Sequence, residues 1–209
     1  LSTLKKRSII YWFIMKQLQA SATKRTFVYL KLVNKKPGLT LFAQLLKKFG
    51  FEDFTKTAIA NANANANANG PGDNGKRRFV DISLDGGKHA SILVDAFNDE
   101  KNKISLVLGS RSASEGLTMM NVDQVFVPIA FGNTDASYAS IDQAVARAVR
   151  YGVHTRQRTD DETGERVVIT YLTANPKRAS LAVEPGTCLP SESLFDKGQI
   201  QKEARLDGA

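Results

Sequence analysis

The stretch that most restricts the fold is "ISLVLGS", residues 104–110, an almost unbroken apolar run closed by Gly and Ser. A second such run, "DQVFVPI", follows at 123–129. A strand with one wet face alternates apolar and polar residues, whereas a strand covered on both faces is apolar throughout. That is the habit of a parallel sheet lying between helical layers. Further strands are expected at 25–32 ("RTFVYLKL"), at 166–172 ("RVVITYL") and within "RRFVDISLDGG", 77–87, through Phe79, Val80, Ile82 and Leu84, with the glycines making a turn. Helices fill the gaps. Residues 5–20 form an apolar-rich one. "PGLTLFAQLLKKFGF" spaces Leu41, Phe42, Leu45, Leu46 and Phe49 helically before stopping at Gly50. "HASILVDAFN", 89–98, turns Ile92, Leu93, Ala96 and Phe97 inward. The expected fold class is α/β, a mainly parallel sheet flanked by helices.

A chain of 209 residues can bury one sizeable core, as one domain or a domain with appendages, and its 42% apolar content supports a globular fold. The net charge of +8 favours a polyanionic partner, although a basic surface also serves solubility or subunit contacts. A lone cysteine, Cys188, excludes an internal disulfide, and with His89 and His154 far away in sequence it builds no metal cluster; no metal site is expected. The apolar stretch in "SIIYWFIMKQL" is too short to cross a bilayer. Its basic lead "LKKR" invites comparison with a signal peptide, but no small-residue cleavage signal follows, so a buried helix is the better reading. Trp12, Tyr11 and Phe13 there suit core or interdomain packing better than base stacking. The first residue is Leu1, the pattern of a processed protein or of a fragment of something longer.

Residues 58–75, "AIANANANANANGPGDNG", alternate Asn and Ala and then collect turn formers, which reads as an exposed flexible insertion. Residues 173–209 lack comparable periodicity and are expected to leave the core as an extension. The resulting division is 1–23 as a leading helix, 24–180 as the α/β domain, and 181–209 as a C-terminal extension. Lys47, Lys48, Lys76, Arg77 and Arg78 form a candidate basic patch for nucleic acid. His89 starts a helix, Asp85 with Gly86 and Gly87 marks a turn, and Asp99, Glu100, Lys101 and Lys103 read as a solvated charge cluster. His154 is more simply a helix-end residue than a catalytic base.

Two segments carry candidate chemistry. "GSRSASEG", 109–116, follows an expected strand at the end where parallel sheets favour ligand contact; its small residues allow close approach, and Ser110, Ser112 and Ser114 can donate to phosphate oxygens. Ser and Gly are also ordinary loop residues. In "IDQAVARAVRYGVH", 141–154, a helix sets Gln143, Arg147 and Arg150 within about 60° of one another, opposite Ile141, Val145 and Ala148. Paired arginines one turn apart can clamp a developing negative charge, and Gln143 can position water or bond a phosphate from the same face.

With these residues the sequence resembles the second RecA-like domain of superfamily 2 helicases and translocases, and looks most like the nucleoside triphosphate phosphohydrolase I or early-transcription-factor ATPase group of large cytoplasmic DNA viruses. "FVYLKL" and its helix stand for motif IV, "GSRSASEGLTM" for motif V and "QAVARAVR" for motif VI; "LDGG", "AFNDEKN", "NVDQVFVPIAFGN" and "RYGVH" add to the likeness, which covers roughly residues 5–172. The resemblance implies that Ser110, with Arg111, Ser112 and Thr118, contacts nucleic acid, and that Glu115 and Gly116 close the motif V loop near nucleotide or strand. It implies that Gln143 opens motif VI, that Arg150 is the main arginine finger, and that Arg147 is its companion at the γ-phosphate. Glu115 departs from the Arg that many relatives carry, leaving its ionic partner open.

It further implies ATP and Mg²⁺ held mainly by a preceding N-terminal RecA-like ATPase domain, with DNA or RNA as substrate. Viral RNA polymerase or transcription factors are implied partners, no membrane is involved, and the setting is the virion or host cytoplasm, or otherwise intracellular. This sequence has no G-x-x-x-x-G-K-[ST] and no acidic strand end for magnesium. Lys76 in "PGDNGK" has the wrong spacing for a phosphate loop. The chain alone is therefore expected to hydrolyse essentially no ATP. A noncatalytic RecA-like scaffold or nucleic-acid-binding subunit of a transcription assembly is the alternative; a small nucleotide-dependent enzyme would need the missing phosphate loop.

Overall fold

The computed structural model describes residues 1–30, 38–63, 75–110, 117–129, 135–149, 167–175 and 199–207. The elements are α1 (Ser2–Arg7), α2 (Ile9–Ala20), β1 (Thr26–Tyr29), α3 (Leu39–Lys48), β2 (Glu52–Asp53), α4 (Thr55–Asn63), β3 (Arg78–Asp81), α5 (Ala90–Asn98), β4 (Ile104–Gly109), β5 (Gln124–Ile129), α6 (Asp135–Val149), β6 (Val167–Asn175) and β7 (Gln199–Asp207). They form one seven-stranded sheet in the order β2-β3-β4-β1-β5-β6-β7. Every neighbouring pair is parallel. The α/β architecture expected from the apolar strands is thus present.

Alternation along each strand divides the core between two layers. Phe27, Tyr29, Val80, Val107, Val125 and Ile169 face Ala58 of α4, Leu93, Val94 and Phe97 of α5 and Ile141, Val145 and Ala148 of α6. Val28, Leu106, Leu108, Phe126 and Leu172 face Tyr11, Ile14, Met15 and Leu18 of α2 and Leu39, Phe42 and Leu46 of α3. Each large side chain buried in this way contributes about 1.5–3 kcal/mol. The central strand β1 is buried along its whole length, which accounts for its lack of polar alternation.

Several boundaries differ from expectation. The first helix breaks at Ser8, whose extended backbone ends α1 while its hydroxyl accepts from the N–H of Tyr11 and caps α2. The Asn-Ala tract is helical as far as Asn63, because Thr55, Ala58 and the half-buried Ile59 give α4 a face against the core; residues 64–74 of that insertion lie outside the described residues. Strand β3 stops at Asp81, and Ile82 and Ser83 already belong to a turn that leads into 84–87. The extension expected to leave the core instead supplies β7, paired in register with β6 from Val167↔Gln199 to Asn175↔Asp207. Its sequence "QIQKEARLD" is too polar to announce a buried strand, and it lies at a sheet edge, where one partner suffices. No helix among the described residues is long and apolar enough to cross a membrane.

Candidate functional site

Helix α6 places its residues as the 3.6 period requires. Ile141, Ala144, Val145 and Ala148 are at most 2% exposed, whereas Gln143 is exposed and Arg147 half-buried. The apolar face fixes the helix on the sheet and thereby turns Gln143 and Arg147 outward. Among the described residues the Arg147 guanidinium makes no ion pair. Arg150 and His154 lie outside the described residues.

The segment that leaves β4 returns beside this helix. The N–H of Met119 donates to the carbonyl of Arg147 at 3.2 Å. Asn98, the last residue of α5, clamps the same segment on both sides: its amide donates to the Thr118 carbonyl at 3.0 Å, and its Oδ1 accepts from the Met120 N–H at 2.8 Å. Met119 and Val122 are buried between these contacts. Thr118 and Arg147 are therefore held as neighbours, although they are far apart in sequence.

Ser110 sits elsewhere. It follows the C-terminal end of β4 and is only 2% exposed, whereas Thr118 is bonded to the end of α5, from which the chain enters the opposite end of β4. Arg111, Ser112, Ser114, Glu115 and Gly116, between the two, lie outside the described residues. Gly109 shapes the start of this passage: a β-carbon there would stand 2.8 Å from the Phe27 ring and 3.3 Å from Ile82. Its carbonyl accepts from the Leu30 N–H at 2.8 Å, tying the ends of β1 and β4 together.

The proposed basic patch is corrected by the structure. Arg78 is 5% exposed, bonds Glu52 at 2.9 Å and the Asn102 carbonyl at 3.1 Å, and covers the Phe54 ring. Arg77 donates to the Leu18 carbonyl and covers the Phe51 ring, and burial pushes its pKa down. Lys47 pairs with Asp53 at 2.7 Å. These three cations tie the β2–β3 edge to its helices, and the sequence could not reveal their partners. Lys48 and Lys76 are exposed.

A second cluster escaped the sequence reading. Asp53, Thr55 and Asp81 meet where β2 and β3 end: the Thr55 N–H donates to Asp53 Oδ1 at 3.1 Å, the Thr55 hydroxyl accepts from the Asp81 N–H at 3.0 Å, and Asp81 Oδ1 accepts from the Ser83 N–H at 2.9 Å. Burial raises the Asp81 carboxyl to about 6; the Ser83 bond opposes this and the Asp53 charge adds to it. Asp53 is desolvated too, but bonds from Lys47 and Thr55 and the Lys47 charge outweigh burial and leave its pKa lowered. The turn that follows holds Asp85, Gly86 and Gly87 at positive φ, so the glycine signal in "LDGG" was legible. Among the described residues no group of three or more His, Cys, Asp or Glu is placed to hold a metal ion.

A fully parallel sheet with helices on both faces is consistent with a RecA-like ATPase domain. The chain is similar to "Putative helicase 009L" of Frog virus 3 (isolate Goorha), with 32% identity over 155 residues; the match covers 72% of this chain but only 14% of that protein's length. Among solved structures it is similar to the C-terminal part of the Fun30 ATPase domain, with a TM-score of 0.46 and 16% identity, over 77% of this chain and 39% of the other. No family model matches the chain.

Proposed function

We propose that this chain is the C-terminal half of an ATP-dependent nucleic-acid helicase or translocase, working with a preceding RecA-like domain in viral transcription. The observation that carries this reading is the outward presentation of Gln143 and Arg147 on a helix whose opposite face is locked into the core, beside the segment that follows the Ser110 loop. Similarity to a protein named as a viral helicase supports it.

The donor set suits a polyphosphate: a guanidinium with no ion pair among the described residues and an exposed amide one turn away. ATP would supply the transferring phosphoryl group and Mg²⁺ the neutralising charge, both bound chiefly by the preceding domain. Arg150, with Arg147 as companion, would present its fork to the γ-phosphate oxygens across the cleft, and Gln143 would orient water or a phosphate oxygen. Glu115 and Gly116 would close the motif V loop near the nucleotide. Arg111, Ser112 and Thr118 would hold the nucleic-acid backbone, with the buried Ser110 acting through the loop it begins, so that domain closure couples hydrolysis to movement.

The test is nucleic-acid-stimulated ATP hydrolysis by the full-length protein and its Arg150→Ala variant, with folding and nucleic-acid binding measured alongside. Loss of about 10³-fold or more in rate with binding retained supports the finger role. Unchanged hydrolysis rejects it. Absence of hydrolysis in the parent protein favours the noncatalytic scaffold.

A further inference from the structure

The charge of this protein is concentrated in its first quarter. Residues 1–51 contain eleven Lys and Arg and no Asp or Glu; the first acidic residue is Glu52, and residues 52–209 hold all 21 acidic groups against 18 basic ones. The fold makes this separation spatial. Helices α2 and α3 cover one face of the sheet, and Leu4 of α1 packs against the same core, whereas α4, α5 and α6 cover the other face. One helical layer is therefore built from a segment without a single carboxylate side chain.

Within that layer the outer side of α1 and α2 has a defined centre. Tyr11, Ile14, Met15 and Leu18 are buried against the sheet, and Phe13 packs edge-on against Phe126 at 6.5 Å. Trp12 differs from both neighbours. Its indole is half-buried and draws two ammonium groups, with Lys5 Nζ 5.2 Å and Lys16 Nζ 5.3 Å from the ring centroid. Lys5, Lys6 and Lys16 are exposed and make no ion pair among the described residues. Each ammonium gains from the ring, but two cations drawn to one indole repel each other, and the local sequence offers no carboxylate to offset this. An anion bridging them would remove that cost.

We propose that the outer face of α1 and α2, centred on Trp12, binds single-stranded nucleic acid, with Lys5 and Lys16 moving from the indole to the phosphates, beside Lys6, as a base stacks on the ring. Charge complementarity selects a polyanion. The indole selects a nucleic acid among polyanions, since bases stack on aromatic side chains while cations track the backbone. An anionic membrane is a poorer fit, because Tyr11, Ile14, Met15 and Leu18 of α2 are buried and Ile10 and Phe13 pack against the same core. This face lies on the opposite side of the sheet from Arg147, so the site is separate from the proposed interdomain cleft and does not rest on ATP hydrolysis.

Trp12 is the only tryptophan in the chain, so its emission reports the site directly. The 209-residue protein is titrated with single-stranded oligothymidylate, following both Trp12 fluorescence and the anisotropy of a labelled oligonucleotide. Emission should be quenched with the same midpoint as the anisotropy rise. The Lys5→Glu/Lys6→Glu/Lys16→Glu variant should bind at least ten-fold more weakly, and removal of three phosphate contacts should flatten the slope of log K against log salt by about 2. Trp12→Ala should weaken binding roughly ten-fold, a typical loss for one stacked base. Lys56→Glu/Lys88→Glu/Lys101→Glu, which makes the same charge change at exposed positions from α4 onward, should bind nearly as the parent does. Circular dichroism establishes that each variant is folded. Binding without any change in Trp12 emission, an equal loss in the two charge-reversed variants, or binding to phosphatidylserine vesicles but not to the oligonucleotide would each overturn the proposal.

Discussion

The backbone N–H of Met119 donates to the carbonyl of Arg147 at 3.2 Å, so the segment that leaves β4 is fastened to the last turns of the arginine-bearing helix α6. Asn98 grips the same segment through Thr118 and Met120. A shift of Met119 therefore bears on the end of α6 through this bond.

Asn98→Ala removes both side-chain bonds and leaves the Thr118 carbonyl and Met120 N–H to find water. The expected cost is about 1–3 kcal/mol. In a chain of this length it should lower the thermal midpoint by roughly 2–4 °C for each kcal/mol. Calorimetry measures it, and an unchanged midpoint would show that the clamp adds no stability.

Gly109→Ala should drive a methyl group into the Phe27 ring, with an overpacking cost of about 1–3 kcal/mol. Pairing it with Phe27→Leu, which vacates part of the contact, should recover some of the loss. A double-mutant cycle in urea reads the coupling; strictly additive losses would mean that the close approach is relieved elsewhere.

Asp81 gives a pH signature with a definite sign. Its folded-state pKa of about 6 lies above the ordinary 3.8, so the folded chain binds the extra proton in between. Its contribution is fully present below about pH 4 and lost as pH rises through 6, amounting to about 2–3 kcal/mol. Asp53 works the other way: its lowered pKa adds stability above the ordinary value that is lost as pH falls through its folded pKa. Asp81→Asn keeps an acceptor for the Ser83 N–H and should raise stability at pH 7.5 while leaving it little changed at pH 4. Urea denaturation at the two pH values checks this, and an equal change at both would contradict the buried-carboxylate account.

Arg78→Ala distinguishes a cation that holds the fold from one that meets a ligand. Loss of its bonds to Glu52 and Asn102 should cost about 3 kcal/mol, toward the lower end for a buried pair because Glu52 is partly solvated. Protein that remains folded should bind oligonucleotide as the parent does. A large drop in affinity at unchanged stability would return Arg78 to the nucleic-acid surface.

The apolar runs at 104–109 and 124–129 announced the parallel sheet because burial on both faces leaves its mark on every residue of a strand. The inward face of α6 was equally plain, since Ile141, Val145 and Ala148 follow one period. What escaped were contacts between elements. Nothing in "RRFV" says that one arginine will lie beneath α2 and the next against Glu52, and the asparagine ending "AFN" looks like any helix stop until its two partners fold beside it. Strand β7 escaped for a different reason: an edge strand with a single neighbour needs few apolar residues, so its hydrogen bonds leave no pattern in the sequence.

The placement of β1 at the centre of the sheet has a consequence for biogenesis. Its flanking strands come later in the chain: Thr26 pairs with Leu106 on one side and Gln124 on the other. At a synthesis rate of about 5–20 residues per second, the ribosome needs roughly 4–16 s after making β1 before its first neighbour exists. Through that interval Val28 and Leu30, on one face of the TFVYL segment, can be covered by α2 and α3, which meet through Tyr11 and Phe42 and through the Tyr11 hydroxyl bond to Gly38, while Phe27 and Tyr29 on the other face await α4 and α5. The N-terminal helices are therefore in place early to shield one face of the strand on which the rest of the sheet is later assembled.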